Sequence, residues 1–460
     1  MRAIRRITRS LLTVILVPLG VGIGTSGAEE RFFDWTSLQF PREEYQARRA
    51  KLAQQLRLSG GGVYLTPSRP GLSQGETFRQ LDDFLYFTGL ELPDSVFVLD
   101  AESGRAVVFA PPRDLRFENA ARANDFPGRP LADDPVLPRV SGLDEVRPTA
   151  DFERALASHV TAGRVLRVAQ PAEREKALVA PFNAEAELVV SLRRLAPHAR
   201  LESARSDVAR CRMVKSKAEI DVLRRAARLS ARALEEAASF VADGVDERKL
   251  EAEFEAACKR DGAQRLAFAS IVKSGPHALF PWRLLAAHYD RRNRIMRNGE
   301  IVVLDVGCEL DHYASDVGRT LPVWGRFHPE QRRVLETEVA AADAMIAAVR
   351  PGVTLAEVQA AGLARIPAAD RGFMRAALYF GHHLGLAAAD PQIDDARLEP
   401  GMVLTVEPWY YDRARGQVAF TEDMVLVTAT GAENLTASLP RTAAALEAAV
   451  KADPRRPRRR

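Results

Sequence analysis

The chain has 460 residues, of which 47% are hydrophobic and 27% charged, and its formal net charge is +4 at pH 7. This length is too great for one ordinary domain and suits two, and the composition is typical of globular proteins. The positive charge is concentrated at the two ends, without the interleaved aromatic residues of a folded basic face, so nucleic acid is excluded as a partner. Residues 451–460 are predicted to be a basic disordered tail.

The first 28 residues have the order of an export signal. Arginines precede the apolar run Leu11–Leu19, and the small residues Ser26 and Ala28 follow it, which predicts cleavage after Ala28. The run is short for a membrane span of about 20 residues, so cleavage is favoured over the alternative of an uncleaved anchor. We therefore expect an exported protein, periplasmic or secreted, without stable membrane insertion after signal cleavage.

Residues 29–205 are predicted to form a smaller, mixed α/β domain. Two apolar runs separated by Ala-Glu-Ser-Gly favour a hairpin within it. The predicted elements, in chain order, are a helix at Pro41–Leu58, strands at Gly61–Leu65, Asp94–Asp100 and Arg105–Ala110, a helix at Asp151–Val160, a strand at Arg164–Ala169 and a helix at Asn183–Leu195.

Residues 206–450 are predicted to form a second domain of the α+β class, because helices and strands group in blocks instead of alternating. Its first helix runs from Ser216 to Ala242, with Ser216 as candidate N-cap and Glu219 three residues later. The other predicted elements are helices at Glu247–Lys259, His328–Val349 and Thr354–Ile366 and strands within Leu266–Val323, Met402–Trp409 and Val418–Val427.

The three cysteines, Cys211, Cys258 and Cys308, permit at most one disulfide bond. Cys308 follows Asp305 by three positions on the same predicted strand. Since side chains alternate along a strand, we expect Cys308 to point away from Asp305 and to be a small core residue.

Four carboxylates of the second domain lie inside apolar runs: Asp305, Asp316, Glu407 and Glu422. Each one alone would be typical of an ordinary strand end. Burying one ionised carboxylate costs several kcal/mol, so four together require either raised pKa values or accompanying cations.

Two divalent cations would balance four carboxylates, and an imidazole from the segment Gly381-His382-His383-Leu384-Gly385 would add a neutral ligand. Metal ions about 3.5–4 Å apart lower the pKa of a bridging water and hold both oxygens of a tetrahedral species during hydrolysis. An oxygen-rich set with one imidazole suits Mn²⁺, Co²⁺, Fe²⁺ or Zn²⁺, and Mn²⁺ is our first prediction.

The motifs around these residues resemble those of the pita-bread metallopeptidases, in the branch of Xaa-Pro aminopeptidase and prolidase. They are Leu-Asp-Val-Gly, Ser-Asp-Val-Gly-Arg-Thr, Gly-His-x-x-Gly-Leu, Thr-Val-Glu-Pro and Thr-Glu-Asp-x-Val-Leu-Val-Thr. The resemblance implies a pita-bread (creatinase/aminopeptidase-like) catalytic domain with five metal ligands. These are Asp305, Asp316, His382, Glu407 and Glu422, and Glu407 is also implied to act as the base toward the bridging water.

The resemblance extends upstream of the ligands, to roughly residue 40. Ser270–Pro276 and Ala287-His288-Tyr289 resemble the family's Ile-Val-x-Ser-Gly and His-Tyr elements, which implies that His288 contacts the substrate and shuttles protons. Arg212–Ile220 resembles the opening of the catalytic domain. Phe78–Gly89, which could otherwise be a plain strand and turn, resembles the N-terminal domain of the Xaa-Pro branch.

Three positions depart from the branch's pattern. Ala389 stands where the family usually has a substrate-binding histidine, Leu378 where the branch often has histidine, and Phe420 where it usually has arginine. None removes a ligand, so we expect metals to bind and substrate placement and proton relay to differ. His383 is expected to be a bystander, since neighbouring side chains point apart.

The sequence therefore predicts a metallo-aminopeptidase that acts on peptides and removes an N-terminal residue preceding proline. Three alternatives remain at this point: an Xaa-Pro dipeptidase (prolidase), a non-peptidase hydrolase or lyase, and an inactive binding protein on the same fold. Because relatives are often dimers or tetramers, the resemblance also implies a homo-oligomer.

Overall fold

The computed structural model describes residues 38–71, 77–112, 132, 134–169, 184–279, 293–374 and 380–451. The predicted signal peptide, most of the predicted basic tail, His288 and Leu378 lie outside these ranges. Within them, no helix combines the length and the apolar character that crossing a bilayer requires.

The N-terminal part is built on a six-stranded mixed sheet. Its strands are β1 (Val63–Pro67), β2 (Val96–Asp100), β3 (Ala106–Ala110), β4 (Glu145–Pro148), β5 (Leu166–Val168) and β6 (Leu201–Ser203). They lie in the order β4-β3-β2-β1-β5-β6, and β1 is antiparallel to β2 but parallel to β5. The predicted hairpin is confirmed as β2 and β3, which pair antiparallel.

Helices cover both faces of this sheet. They are α1 (Arg42–Leu58), α2 (Asp82–Thr88), α3 (Val136–Ser141), α4 (Phe152–Thr161) and α5 (Ala184–Leu195). Because side chains alternate along β1, Tyr64 packs against Phe87 of α2 on one face. Val63 and Leu65 join a separate core on the other face, together with residues of α4 and α5. The fold of this part is the mixed α/β arrangement that the sequence predicts.

The predicted boundary between residues 205 and 206 coincides with the start of α6 (Arg205–Met213). Lys51 of α1 donates a hydrogen bond to the Cys211 carbonyl of α6, at 3.3 Å. The division of the chain at this point stays a prediction.

The second part opens with a capped helix. Its helices are α7 (Lys217–Ala238), α8 (Glu247–Arg260), α9 (Pro329–Ala348), α10 (Leu355–Arg365), α11 (Arg371–Met374) and α12 (Ala443–Val450). The predicted cap of α7 is confirmed, because Glu219 N donates to Ser216 Oγ at 3.2 Å and Ser216 N donates to Glu219 Oε2 at 2.9 Å. Two of the four orphan donors at the helix start are satisfied in this way.

Strands of the second part form a large and a small sheet. They are β7 (Arg265–Leu266), β8 (Ile271–Ser274), β9 (Ile301–Val306), β10 (Cys308–Leu310), β11 (Tyr313–Ala314), β12 (Val317–Pro322), β13 (Val403–Val406), β14 (Trp409–Asp412), β15 (Gln417–Val427) and β16 (Ala432–Asn434). The large sheet has the order β13-β15-β12-β9-β8, with β14 and β16 also paired to β15, and the small sheet has the order β11-β10-β7. Helices and strands thus come in blocks, which confirms the predicted α+β class.

One prediction about the cysteines was wrong. Cys308 is fully buried, as expected, but it forms a disulfide bond with Cys258 at the end of α8, with the Cα atoms 5.8 Å apart. The chain leaves the large sheet after Val306 and enters the small one at Cys308, which turns this residue toward α8. Cys211 is buried and unbonded.

Candidate metal centre

The central strands of the large sheet place three of the predicted ligands on one face. In the antiparallel ladder, Gly318 of β12 pairs with Asp305 of β9 on one side and with Glu422 of β15 on the other. Directly paired residues of a sheet point to the same face, and Asp316 lies two residues before Gly318, so it faces the same way. Asp305, Asp316 and Glu422 therefore converge on one face of the sheet.

A fourth carboxylate and the imidazole come from the segment beside β13. Thr405 Oγ1 donates to Glu407 Oε1 at 2.9 Å and accepts from His382 N at 3.0 Å. Thr405 N donates to the His382 carbonyl at 2.9 Å. One threonine therefore holds both Glu407 and the backbone of His382.

The orientation of the His382 ring follows from a backbone contact. Its Nδ1 lies 3.1 Å from the His383 carbonyl, which can only accept, so Nδ1 carries the proton. Nε2 then presents its lone pair toward the carboxylates, 3.2 Å from Glu407 Oε1 and 3.8 Å from Asp316 Oδ2. This is the tautomer that a histidine ligand needs.

Ligand atoms of Asp316, His382 and Glu422 all lie within 4.8 Å of one another. Asp316, Glu407 and Glu422 are buried, whereas Asp305 is half-buried. The structure thus brings the five predicted residues into one cluster. Their role as metal ligands stays a prediction.

Burial makes this cluster costly to ionise. It raises the pKa of Asp305 to about 7. Burial, followed by the charges of the neighbouring carboxylates, raises the pKa values of Asp316, Glu407 and Glu422 well above their usual range. Burial also lowers the pKa of His382, which keeps the imidazole neutral. Charge compensation is therefore needed before all four acids can ionise together.

The cluster fits a divalent cation. Asp316 Oδ1 and Glu422 Oε2 are buried, and neither accepts a hydrogen bond from any described residue. A cation, a proton shared between the two carboxyl groups or an ordered water can satisfy such oxygens. Carboxylate oxygens with one neutral imidazole are a donor set for divalent first-row metals.

Supporting residues that sequence reasoning missed lie behind β15. Arg319, fully buried, donates to the carbonyls of Glu422 at 2.6 Å and Gly318 at 2.7 Å. Glu338 of α9 accepts from Thr421 N at 3.1 Å. Arg319 and Thr405 both lie in motifs of the sequence, but nothing in the motif letters indicates what they contact.

Two of the three departures from the branch's pattern are visible. Phe420 is buried and stacks on Trp409, with ring centroids 3.8 Å apart and an angle of 21° between the planes. A Cβ on Gly318 would lie 2.0 Å from Phe420 Cε1, so the phenylalanine ring occupies the space above this glycine. Ala389 is exposed.

His383, predicted to be a bystander, is buried. It forms a bridge with Leu404. Burial, together with the positive charge of Lys215, lowers the pKa of His383 to about 3, so the ring is neutral.

Comparisons with known proteins agree with this fold. Residues 221–429 match metallopeptidase family M24, and residues 45–166 match the aminopeptidase P N-terminal domain. The Xaa-Pro aminopeptidase of Escherichia coli is 30% identical over 450 residues, which cover 90% of this chain and 99% of that protein.

Two further similarities bear on the function. The Xaa-Pro dipeptidase of Pyrococcus furiosus is 32% identical over 230 residues, which cover 49% of this chain and 63% of that protein. The solved structure of aminopeptidase P from Escherichia coli with the inhibitor Pro-Leu matches with a TM-score of 0.74 at 27% identity. That match covers 89% of this chain and 98% of the other.

The α+β fold with its clustered carboxylates and histidine defines a metal-dependent peptidase of the pita-bread class. More specifically, the chain belongs to metallopeptidase family M24, with the N-terminal domain of aminopeptidase P. It is a metallo-aminopeptidase, a hydrolase whose substrate is a peptide.

Proposed function

We propose that this enzyme uses two divalent metal ions, held by Asp305, Asp316, His382, Glu407 and Glu422, to remove an N-terminal residue that precedes proline. The observation that carries the proposal is the convergence of four carboxylates on one imidazole, with two buried oxygens unsatisfied. The relative named Xaa-Pro aminopeptidase, of which the match covers 99%, supports the substrate class.

The chain's own residues have distinct parts in this proposal. When bound, the metal pair supplies Lewis acidity and a water of lowered pKa. Glu407, fixed by Thr405, accepts the proton of the attacking water. His382 is a neutral ligand oriented by the His383 carbonyl. His288, outside the described residues, is proposed to contact the substrate and to move protons.

Phe420 bears on substrate placement. It stands where the branch of Xaa-Pro aminopeptidase and prolidase usually has arginine, and its ring stacks on Trp409, so this position offers the substrate no charge. The similarity to an Xaa-Pro dipeptidase keeps prolidase as the second candidate.

The proposal also covers the identity of the metal, the compartment of the protein and its self-association. Mn²⁺ suits the oxygen-rich donor set, with Co²⁺, Fe²⁺ and Zn²⁺ as alternatives. The disulfide between Cys258 and Cys308 supports export to an oxidising compartment after cleavage of residues 1–28. Self-association is proposed from the resemblance to oligomeric relatives.

One experiment separates these functions. Purified protein loaded with Mn²⁺ is given Xaa-Pro-Xaa tripeptides, Xaa-Pro dipeptides and peptides without proline, and the released N-terminal residue is measured. Cleavage of the tripeptides supports the proposal, whereas cleavage of dipeptides alone supports prolidase. Bound metal without turnover of any peptide would favour another reaction or an inactive binding protein.

The matched variant is Asp305→Ala, which removes a proposed ligand. It should lose both bound metal, measured by elemental analysis, and turnover. Asp343→Ala, an exposed acid on α9, is the control and should keep both.

A further inference from the structure

The loop that follows His382, residues 383–390 and termed here the histidine loop, is built around the carboxylate of Asp390. Asp390 N donates to the His383 carbonyl at 2.9 Å, and Ala387 N donates to Asp390 Oδ1 at 3.3 Å. A Cβ on Gly385 would lie 2.5 Å from Asp390 Oδ2. The loop therefore has a single compact arrangement that depends on where Asp390 is held.

The His383 carbonyl connects this loop to the proposed metal ligand. It accepts hydrogen bonds from both Asp390 N, at 2.9 Å, and His382 Nδ1, at 3.1 Å. A carbonyl oxygen has two lone pairs and can accept both. A displacement of Asp390 consequently moves the acceptor that fixes the tautomer and the ring orientation of His382.

Arg212 of α6, in the second domain, holds Asp390 and is itself held by Asp82 and Asp83 of α2, in the N-terminal domain. Its guanidinium lies 2.5 Å from Asp390 Oδ1, 2.7 Å from Asp83 Oδ1 and 3.2 Å from Asp82 Oδ2. Lys215 Nζ lies 3.5 Å from Asp390 Oδ2. Arg212, Lys215 and Asp390 are buried, where a charge deprived of its partner is strongly destabilising. Arg212 and Lys215 thus hold Asp390 directly, and Asp82 and Asp83 of α2 hold Arg212 in turn.

Arg79 makes a second connection between the N-terminal domain and the loop. Its Nη2 donates to the Leu386 carbonyl at 2.8 Å, Nη1 lies 2.8 Å from Asp82 Oδ1, and Nε lies 2.7 Å from Glu309 Oε2. Arg79, Asp82 and Asp83 all belong to the segment Phe78–Gly89, which resembles the N-terminal domain of the Xaa-Pro branch. None of the three is among the proposed metal ligands.

We propose that the N-terminal domain positions the metal ligand His382 through a clamp on the histidine loop. The clamp consists of Arg79, Asp82, Asp83, Arg212 and Asp390. These are positioning residues, which act through the Leu386 and His383 carbonyls. The inference rests on the proposed role of His382 as a ligand. It gives the N-terminal domain a part in building the metal centre, separate from any contact with the substrate.

The test measures metal affinity in the full chain, so that it does not depend on turnover. Co²⁺ is titrated into the protein while visible absorbance, which reports the ligand geometry, is followed. Loss of a residue that orients a metal-ligating histidine typically weakens metal binding about 10–100-fold. Arg79→Met and Asp390→Asn are each expected to weaken Co²⁺ by about this factor and to alter the absorption bands.

A thermodynamic cycle shows whether Arg79 acts through His382. In a His382→Ala background, Arg79→Met should cause no further loss of Co²⁺ affinity, because the ring that the clamp positions is gone. Equal losses in both backgrounds would overturn the proposal, as would wild-type affinity in both Arg79→Met and Asp390→Asn. A wild-type protein that binds no Co²⁺ would instead overturn the proposed metal centre.

Arg49→Met is the matched control. Arg49 lies in the same domain and also clamps carbonyls, those of Phe87 at 2.8 Å and Gly142 at 2.6 Å, but not those of the histidine loop. It should lower thermal stability and leave Co²⁺ affinity within about twofold of wild type. If circular dichroism shows that Arg79→Met does not fold, Arg79→Lys takes its place. Lysine keeps the charge but not the planar guanidinium with its several donors, so a smaller loss of Co²⁺ affinity is expected.

Discussion

Arg319 Nη2 lies 2.8 Å from Asp423 Oδ1, and neither side chain is exposed to solvent. Asp423 follows Glu422 on β15, so the ion pair occupies the face of the sheet opposite to the metal centre. Arg319 also donates to the Pro440 carbonyl at 2.7 Å, in addition to the carbonyls of Glu422 and Gly318. Arg319 thus joins β12, β15 and the segment at Pro440 on the face of the sheet opposite the proposed metal ligands.

Replacing Arg319 by Met should destabilise the fold strongly. Among the described residues, it leaves the buried Asp423 with Arg441, 3.3 Å away, as its remaining cationic partner, and it removes the hydrogen bonds that Arg319 donates to three carbonyls. Removing one partner of a buried ion pair costs about 3–5 kcal/mol, so the free energy of unfolding, measured with denaturant, should fall by that amount. Arg260→Met, which breaks an exposed pair with Glu236, should cost less than about 1 kcal/mol. Equal losses in the two variants would contradict this role of Arg319.

Stability should depend on pH through Glu338, which is fully buried in α9. Burial raises its pKa to about 8, although hydrogen bonds from Thr421 and the charges of Arg441 and Arg319 oppose this rise. The folded state keeps the proton up to about pH 8, whereas the unfolded chain releases it near its ordinary value of 4.5. Glu338 therefore makes the free energy of unfolding fall as pH rises between these two values.

The variant Glu338→Gln keeps the shape and stays neutral. Its stability relative to wild type should increase by a few kcal/mol, in order of magnitude, between pH 5 and pH 9. Denaturant unfolding across this pH range measures the difference. Glu336→Gln, on the exposed side of the same helix, is the control and should follow the wild-type profile. A constant difference between Glu338→Gln and wild type would show that Glu338 does not titrate in this window.

Asp316→Asn should have opposite effects on the metal-free and metal-loaded enzyme. Without metal, it removes an acidic group whose burial and neighbouring charges disfavour ionisation, so melting in EDTA should occur at a higher temperature than in wild type. With Mn²⁺, wild type should gain about 2.7 kcal/mol at a metal concentration of 100 times Kd, and the variant should gain little. A variant that is less stable in EDTA, or that gains as much from Mn²⁺, would argue against a ligand role.

The disulfide can be tested by counting reactive thiols. Native protein should react at no cysteine, because Cys211 is buried, with a pKa raised by burial to about 12, and Cys258 is bonded to Cys308. Unfolding without reductant should expose one thiol, and unfolding with reductant should expose three, as in the sequence. Mass spectrometry of alkylated protein gives these numbers. Reduction should also cost about 2–4 kcal/mol of stability.

Much of this architecture could be predicted because the signals are local. The capping box at Ser216 and the apolar run around Asp305 depend on neighbours in sequence, and both elements formed where expected. Helix α2 is different, since residues 83–88 are all buried and periodicity cannot separate a buried helix from a strand. The Cys258–Cys308 bond was missed because a sequence separation of 50 says nothing about distance in space.

The candidate site also combines features that local sequence patterns predict with contacts that they do not. Motif order identified the five residues that cluster, but the hydrogen bonds of Thr405 and Arg319 depend on which strands become neighbours. The salt bridges of Asp390 likewise join segments 178 and 175 residues apart in sequence. Such contacts follow from the completed fold and not from any local pattern.

The stacked rings of Trp409 and Phe420 limit how this enzyme can diverge. They are cross-strand partners in register, and the phenylalanine also fills the space above Gly318. The effects of substituting residues in contact are not additive. An arginine introduced at position 420 alone would remove the ring that stacks on Trp409 and leave the space above Gly318 unfilled. An arginine at position 420, which the family pattern usually has, would therefore require a compensating change at Trp409.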